Sequence, residues 1–281
     1  MLTIQPPFGY RALKPLNRSD HVRLLKPGEL PPFARDSQIV PLSYAEIVVA
    51  AWHYPIVFLH NLQSNDYTVA AMLGLAPNHN AFGGGTGWDA STYVPAYIRR
   101  YPFCMATITA NAKPESDWMV CIEADHASAV PAEGTEQLFD AEGHPGARWN
   151  VIENFLKDYE ADLAASRAFT QRLVELDLLE PFTANIVRPG DAGQFTVGGM
   201  VRVNEARLAA LDAQAVASLH RSGYLGRIYV HLFSLQRFQW LLERETQQGA
   251  YEASQTSPLH GADESSSTVP LPDVSDARAT T

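Results

Sequence analysis

The segment GWDASTYVPAYIRRYPF, residues 87–103, places aromatic side chains around two adjacent arginines and contains a single acid. Such side chains are large and amphipathic, so they bury most of their surface and need partners for their polar ends. We therefore predict that this segment lies at the centre of the first half of the fold. Its candidate ligand- or partner-binding residues are Trp88, Asp89, Tyr93, Arg99 and Arg100.

The two arginines of this segment allow two interpretations. A guanidinium binds a carboxylate or a phosphate through paired hydrogen bonds, which makes Arg99 and Arg100 candidates for an anion site. Alternatively, one of them buries its stem and forms an ion pair with Asp89 or Asp125 inside the fold. The sequence favours the internal ion pair, and the anion site stays open.

Hydrophobic patterning on both sides of the segment predicts an α+β fold. Strand-like runs separated by turn residues predict three antiparallel hairpins, and a 3.6-residue period predicts two long helices. The hairpins are 54–59 with 67–75, 103–110 with 118–124, and 182–187 with 194–203, and the long helices are 149–176 and 224–245. Pro181 is expected to stop the first long helix. We expect a mostly antiparallel sheet of about six strands with both helices packed on one side of it.

The chain divides into three predicted regions. Residues 1–40 are rich in proline and are expected to form an extended arm, and residues 41–245 a single α+β domain. Residues 246–281 are predicted to form a disordered acidic tail of Ser, Thr and Pro. The glycine-rich run 83–87 lacks the Lys-Ser or Lys-Thr that follows a phosphate-binding loop, so we interpret it as a flexible loop.

Composition excludes several classes of function. The 281 residues are 46% hydrophobic and 19% charged, with a formal net charge of -10. Nucleic acid needs a basic face, so we expect no nucleic-acid partner. No signal peptide and no apolar run long enough for a bilayer are visible, which predicts a cytoplasmic protein without membrane insertion. Cys104 and Cys121 stand in strand-like contexts and are expected to be buried, reduced thiols.

Metal-binding and cofactor motifs are not apparent, and we expect no cofactor. The nearest approach to a metal-ligand set is Glu123, Asp125 and His126. In a strand the first two would share a face and His126 would point away, so a solvated strand end is the favoured interpretation.

His231 and Ser234 are further candidate site residues. On the last predicted helix His231 falls within the apolar arc, so its imidazole should point inward. A core histidine bonded to the backbone is the favoured interpretation. A functional role stays open, because a buried imidazole is where pKa tuning occurs, and Ser234 is its candidate partner.

Several blocks of this sequence, in order along residues 10–245, resemble the bacterial SapC family. The blocks are Trp88-Asp89, Tyr93-Val94-Pro95-Ala96-Tyr97, Arg99-Arg100-Tyr101-Pro102-Phe103, Leu138-Phe139-Asp140, and His231-Leu232-x-Ser234-Leu235. Pro41-Leu42 with Glu46, Pro55-Ile56-Val57-Phe58, and Leu178-Leu179-Glu180-Pro181-Phe182 also resemble that family's blocks.

The resemblance implies a bacterial protein associated with a surface layer (S-layer). It also suggests an accessory of a modification pathway, because family members are encountered beside genes for halogenase-like and cupin-like proteins. It supplies no catalytic residues. We therefore expect a non-catalytic binding or accessory protein with a protein partner, and a small-molecule ligand stays open. One alternative is a hydroxylase- or transferase-like enzyme that uses His231 and Asp125 in a pocket between sheet and last helix. Another is a structural subunit of a surface lattice.

Overall fold

The computed structural model of the protein describes residues 6–84, 87–108, 117–187 and 194–255. Within these residues the chain forms thirteen strands, which pair only in the antiparallel sense. The strands are β1 Leu13–Pro15, β2 His21–Val22, β3 Ile39–Pro41, β4 Ile56–Asn61, β5 Asp66–Met72, β6 Gly83–Gly84, β7 Gly87–Trp88, β8 Phe103–Ile108, β9 Asp117–Glu123, β10 Ala127–Ser128, β11 Glu136–Gln137, β12 Leu179–Val187 and β13 Gln194–Val203.

Seven α-helices and two short 3-10 helices complete the described part of the chain. The α-helices are α1 Glu46–Ala50, α2 Ala96–Arg99, α3 Ala147–Glu175, α4 Glu205–Ala209, α5 Ala213–Arg221, α6 Tyr224–Ser234 and α7 Arg237–Gln255, and the 3-10 helices are Pro32–Arg35 and Ala124–His126. None of these helices is both long enough and apolar enough to cross a membrane.

The combination of antiparallel strands and helices is confirmed, but the single sheet of about six strands is wrong. The strands form several smaller sheets, of which the largest has five strands in the order β12-β13-β4-β5-β3. The hairpin of β8 and β9 belongs to a separate three-stranded sheet. Its third strand is β1 from the proline-rich arm, which pairs with the other edge of β9. Turn residues indicate which strands form a hairpin, but not which hairpins join one another.

The long helix α3 matches its prediction to within two residues at each end, but Pro181 is not what stops it. Its last turn closes through the amide of Leu178, which donates to the carbonyl oxygen of Leu173 at 2.9 Å, with Asp177 at a φ of 51°. This left-handed residue ends the helix in the manner of a C-terminal cap. Pro181, expected to stop the helix, lies in β12 instead.

The last helix, predicted as one element, is two. Helix α6 ends at Ser234 and α7 begins at Arg237. The amides of Leu235 and Gln236 donate three residues back, which tightens the chain into a turn between the helices. The apolar period continues across this turn, which is why the sequence pattern does not reveal it.

The predicted division into arm, domain and tail stays a prediction. Helix α7 extends to Gln255, and residues 256–281 lie outside the described residues. The predicted turn at 188–193 also lies outside them, as do residues 85–86 of the glycine-rich run.

Helix α3 packs on the five-stranded sheet and forms the main core. The ring centroids of Phe58 on β4 and Phe169 on α3 lie 6.2 Å apart. The arm packs on the segment 87–103, with Phe33 edge-on to Tyr97 at a centroid distance of 6.0 Å. The central position predicted for this segment follows from these contacts, since Tyr97 is fully buried.

Candidate functional site

A cavity of about 340 Å³ lies between the arm, the segment 87–103 and helix α3. Its walls are mostly apolar and include Leu24, Leu30, Ile98, Phe155 and Leu156. Three of the predicted site residues, Trp88, Arg99 and Arg100, also line it. We call it the Arg100 cavity.

Arg100 is the unusual residue of this cavity. It caps the C-terminal end of α2, where its amide donates to the carbonyl oxygen of Ala96, and it is only 2% exposed. Its guanidinium carbon lies 4.2 Å from the ring centroid of Tyr97, 5.2 Å from that of Tyr159 and 5.4 Å from that of Tyr10. Among the described residues, Nε and Nη2 have no hydrogen-bond partner. A buried cation therefore rests on aromatic faces without an acceptor for two of its nitrogens.

The tyrosines around Arg100 do not supply the missing negative charge. Burial raises the pKa of Tyr97 to about 12 and raises the pKa values of Tyr10 and Tyr159 well above their ordinary value. The hydroxyls of Tyr10 and Tyr97 donate to the carbonyl oxygens of Phe103 and Phe8, at 2.7 and 2.6 Å. The hydroxyl of Tyr159 is buried and finds no partner in the described part of the chain.

The neighbouring Arg99 is exposed and satisfied within the chain. Its Nε donates to the carbonyl oxygen of Val94 at 3.0 Å, and its Nη2 donates to the hydroxyl of Tyr93 at 2.9 Å. The guanidinium also lies over the ring of Phe155, 5.1 Å from the centroid. Arg99 thus forms one wall of the cavity while its charge remains in contact with water.

The internal ion pair expected for one of these arginines with Asp89 or Asp125 is wrong. Asp89 binds Arg244 of α7 instead, with Oδ2 accepting from Nη2 at 2.5 Å. Its other oxygen accepts from the hydroxyl and the amide of Ser91, at 2.7 and 2.9 Å. These hydrogen bonds, with that of Arg244, lower the pKa of Asp89 to about 2. Because Arg244 lies 155 residues further along the chain, no local pattern pointed to it.

Trp88 and Tyr93 hold the segment in place. The indole of Trp88 stacks on Phe82 with a centroid distance of 6.2 Å, and its Nε1 is buried without a hydrogen-bond partner among the described residues. The hydroxyl of Tyr93 donates to Oε1 of Glu46 at 2.9 Å. The amide of Ala96, at the start of α2, donates to the same oxygen at 2.6 Å.

His231 is a core histidine bonded to the backbone, which confirms the favoured interpretation. Its Nδ1 donates to the carbonyl oxygen of Ile56 at 2.9 Å, and its Nε2 accepts from the amide of Val203 at 3.1 Å. Burial lowers the pKa of His231 to about 4, so the ring is neutral. Ser234 accepts from the amide of Ile56 and donates to the carbonyl oxygen of His231, so its hydroxyl bonds to the backbone and not to the imidazole ring.

Asp125 lies elsewhere and is exposed, on the 3-10 turn Ala124–His126. It lines a separate cavity of about 250 Å³, to which Arg11, Glu123 and His126 also contribute. His231 is not among the residues that line that cavity, so the two proposed enzyme residues do not share it. Glu123 accepts from the amides of Arg11 and Ala12, and His126 donates to the carbonyl oxygen of Arg23.

A metal ion has one candidate cluster among the described residues. Ligand atoms of Asp140, Glu142 and His144 lie within 4.8 Å of one another, and all three residues are exposed. Asp140 accepts from the amides of Glu142 and His144 and from Nδ1 of His144. These bonds form a local turn that accounts for the closeness of the three residues without an ion.

Sequence reasoning missed Tyr10, Tyr159 and the arm residues that close the cavity. Tyr159 fits the apolar period of α3, so the sequence alone indicates a core residue. Tyr10 lies in a region without periodicity, so only the folded chain brings it to Arg100.

Comparisons with known proteins give one match. The family model described as SapC matches residues 16–241, which is most of the chain. The searches of curated proteins and of solved structures found no match.

Proposed function

The chain belongs to the SapC family, and we propose that this member is a non-catalytic binding protein whose ligand, a small apolar acid, occupies the Arg100 cavity. The observation that carries the proposal is the guanidinium of Arg100, which is 2% exposed and leaves Nε and Nη2 without an acceptor. Among the described residues it forms no ion pair.

The unpaired charge explains why the ligand should be an anion. Burying an ion without a partner costs several kcal/mol even after relaxation. Cation–π contacts with desolvated aromatic rings return about 2 kcal/mol, which leaves much of that cost in place. A carboxylate or phosphate that reached Arg100 would accept from the free nitrogens and balance the charge.

The apolar walls explain why the rest of the ligand should be hydrophobic. Ile98, Phe155 and Leu156 present hydrocarbon and aromatic surface to the cavity. A volume of about 340 Å³ is at the lower end of ordinary ligand pockets, so the ligand is small. An apolar body with one acidic group matches both features of the site.

The side chains of the cavity support binding rather than catalysis. The described residues that line it include no His, Cys, Ser or Thr. The carboxylate among them, Glu29, forms an ion pair with Arg23 and accepts from the amide of Lys26. The pKa of Glu29 is lowered, chiefly by the hydrogen bond from the Lys26 amide, so this carboxylate is a poor general base.

An accessory role beside a modifying enzyme fits a protein that holds a ligand without acting on it. In this role the chain has a protein partner, the modifying enzyme, and it either presents the bound acid to that enzyme or withholds the acid from it. A surface-layer subunit, unlike an accessory protein, should assemble with copies of itself into an ordered array. That assembly would depend on protein concentration and would need no ligand. Light scattering with and without calcium distinguishes these two roles.

Native mass spectrometry of the freshly purified protein tests the proposal. We expect the wild-type protein to carry a small acid and Arg100→Met to lack it. Met fills a similar volume, and replacing buried ion pairs by apolar side chains of similar volume is often neutral or stabilising, so we expect the variant to fold. Arg172→Met removes a charge from a partly exposed position on α3, where Arg172 pairs with Glu175 and does not line the cavity, and this variant should keep the ligand.

Two results would contradict the proposal. One is a wild-type protein that carries no small molecule and gains no thermal stability from added phenylacetate. The other is an Arg100→Met protein that retains the same bound molecule in the same amount. Phenylacetamide, a neutral analogue of phenylacetate, serves as the matched control for the negative charge.

A further inference from the structure

A second concave surface lies between α1, α6 and α7. It has a volume of about 580 Å³ and is lined by Val48, Trp52, Val230, Phe233, Arg237 and Trp240, among others. We call it the α1–α6 groove. It shares no lining residue with the Arg100 cavity.

The walls of this groove carry large apolar side chains that the described part of the chain leaves uncovered. Trp52 is 69% exposed and Phe233 is 68% exposed. Val48, which also lines the groove, is exposed, and so is Tyr229, which lies beside the groove four residues before Phe233. Side chains four residues apart on a helix lie on one face, so Tyr229 and Phe233 form a ridge on α6. Exposed apolar side chains grouped in this way mark an interaction site.

The groove also contains a cation that lacks an ion-pair partner. The guanidinium of Arg237 lies 5.8 Å from the ring centroid of Trp240, and among the described residues it forms no ion pair. Burial and, after it, the charge of Arg237 lower the pKa of His53, beside Trp52, so that ring is neutral at neutral pH. Asp89, whose charge also reaches His53, is already bound to Arg244.

From these features we propose that the α1–α6 groove binds an amphipathic helix of a partner protein, through apolar anchors and a carboxylate that pairs with Arg237. A helix that presents its own ridge of apolar side chains fits a concave surface lined by exposed apolar residues of α1 and α6. Trp and Arg are among the residues enriched where the energy of protein–protein binding concentrates, and Trp52, Trp240 and Arg237 all line the groove.

Charge decides between a partner and a second copy of this chain. A twofold contact sets the same patch against itself, which would bring Arg237 towards the Arg237 of the second copy. The groove lining, as far as the structure describes it, contains no carboxylate that could pair with it. The net charge of -10 on each copy adds repulsion. Both repulsions disfavour a second copy as the source of the carboxylate, and an adduct between position 233 and residues 256–281 of the same chain would count against a different protein.

Site-specific photo-crosslinking in the cell that encodes the chain tests this proposal. The aromatic photo-crosslinker p-benzoylphenylalanine replaces Phe233 in one strain. In a control strain it replaces Val151, which is 70% exposed on α3. After irradiation the crosslinked peptides are sequenced by mass spectrometry. We expect position 233, but not position 151, to give one dominant adduct. The partner segment in this adduct should have apolar residues at helical spacing, three or four positions apart, and at least one Asp or Glu.

Charge variants in the same strain test the role of Arg237. Arg237→Glu should lower the yield of this adduct at least tenfold, whereas Arg237→Lys should retain it. A fluorescent synthetic copy of the crosslinked segment should bind the purified wild-type chain and bind Trp52→Ala at least tenfold more weakly. Trp52 is exposed, so its replacement leaves the fold intact.

Five results would overturn the proposal. They are an adduct with a second copy of the chain, an adduct with residues 256–281 of the same chain, the same adduct from position 151, an unchanged yield with Arg237→Glu, and the absence of any adduct at position 233.

Discussion

The imidazole of His231 donates a hydrogen bond from Nδ1 to the carbonyl oxygen of Ile56, at 2.9 Å, across 175 residues of sequence. Ser234, one turn later on α6, accepts from the amide of the same Ile56 at 2.9 Å. Helix α6 thus satisfies both backbone groups of the first residue of β4. It also reaches β13, whose Val203 donates to Nε2 of His231. These hydrogen bonds fix the helix against two neighbouring strands.

The lowered pKa of His231 predicts a loss of stability in mild acid. The unfolded histidine titrates at about 6.5, whereas the folded one titrates at about 4. Above pH 6.5 the ring is neutral in both states and this contribution to stability is fully present. Between these values the unfolded state binds a proton that the folded state excludes, so the free energy of unfolding falls. By pH 4 the loss is on the order of 3 kcal/mol.

Urea unfolding at a series of pH values measures this loss against a variant that cannot titrate. In His231→Asn the amide nitrogen can still donate to Ile56, while the acceptor for Val203 is lost. We expect this variant to be less stable than wild type above pH 6.5, with the difference shrinking towards pH 4. A difference that stays constant with pH would show that His231 does not titrate in this range.

Ser234→Ala should leave the amide of Ile56 buried without an acceptor. An unsatisfied buried donor costs about 1–3 kcal/mol, and we expect a loss of that size in the free energy of unfolding. Ser218→Ala on α5 is the matched control, because Ser218 is only partly buried and its side chain forms no hydrogen bond with the described residues. Equal effects of the two substitutions, measured by urea unfolding, would contradict this role of Ser234.

Local features were largely predictable from the sequence. The three hairpins and helix α3 follow from the spacing of apolar and turn residues, which act over a few positions. The inward position of His231 followed from the same helical period. Its partners Ile56 and Val203 could not be predicted, because they come from strands that the folded chain alone brings to α6.

Long-range pairing explains the errors. Asp89 was expected to pair with an arginine close in sequence, but Arg244 reaches it from the last helix. The arm strand β1 pairs with β9, so β8 and β9 did not join the main sheet. Both effects bear on Arg100. Asp89, the acid close to it in sequence, pairs with Arg244, and the ring of Tyr10 from the arm lies against the Arg100 guanidinium.

Glu46 and Tyr93 should show a measurable coupling. Glu46 is buried and accepts from the amide and hydroxyl of Ser43 through Oε2, and from Tyr93 and Ala96 through Oε1. Glu46→Gln replaces one accepting oxygen by a donating amide group and should lower the free energy of unfolding by about 2–3 kcal/mol. Tyr93→Phe should cost less, because it removes only one of these donors.

The double variant Glu46→Gln with Tyr93→Phe completes a thermodynamic cycle. Because the two side chains touch, we expect a coupling energy of about 1 kcal/mol from urea unfolding of the four proteins. Additive effects would show that the hydrogen bond contributes nothing beyond the separate contacts of each residue.

The three tyrosines around Arg100 provide a test of the unpaired state itself. Tyr159→Phe removes a buried hydroxyl that has no partner among the described residues, so we expect the ligand-free protein to keep or gain up to about 1 kcal/mol of stability. Tyr10→Phe and Tyr97→Phe remove hydroxyls that donate to backbone carbonyl oxygens, and each should lose about 1 kcal/mol. All three variants keep the aromatic ring beneath the guanidinium, so the comparison isolates the hydroxyl. Urea unfolding of ligand-free protein measures the difference. A loss with Tyr159→Phe as large as with the other two would mean that this hydroxyl has a hydrogen-bond partner in the folded protein, which would contradict its unbonded state in the structure.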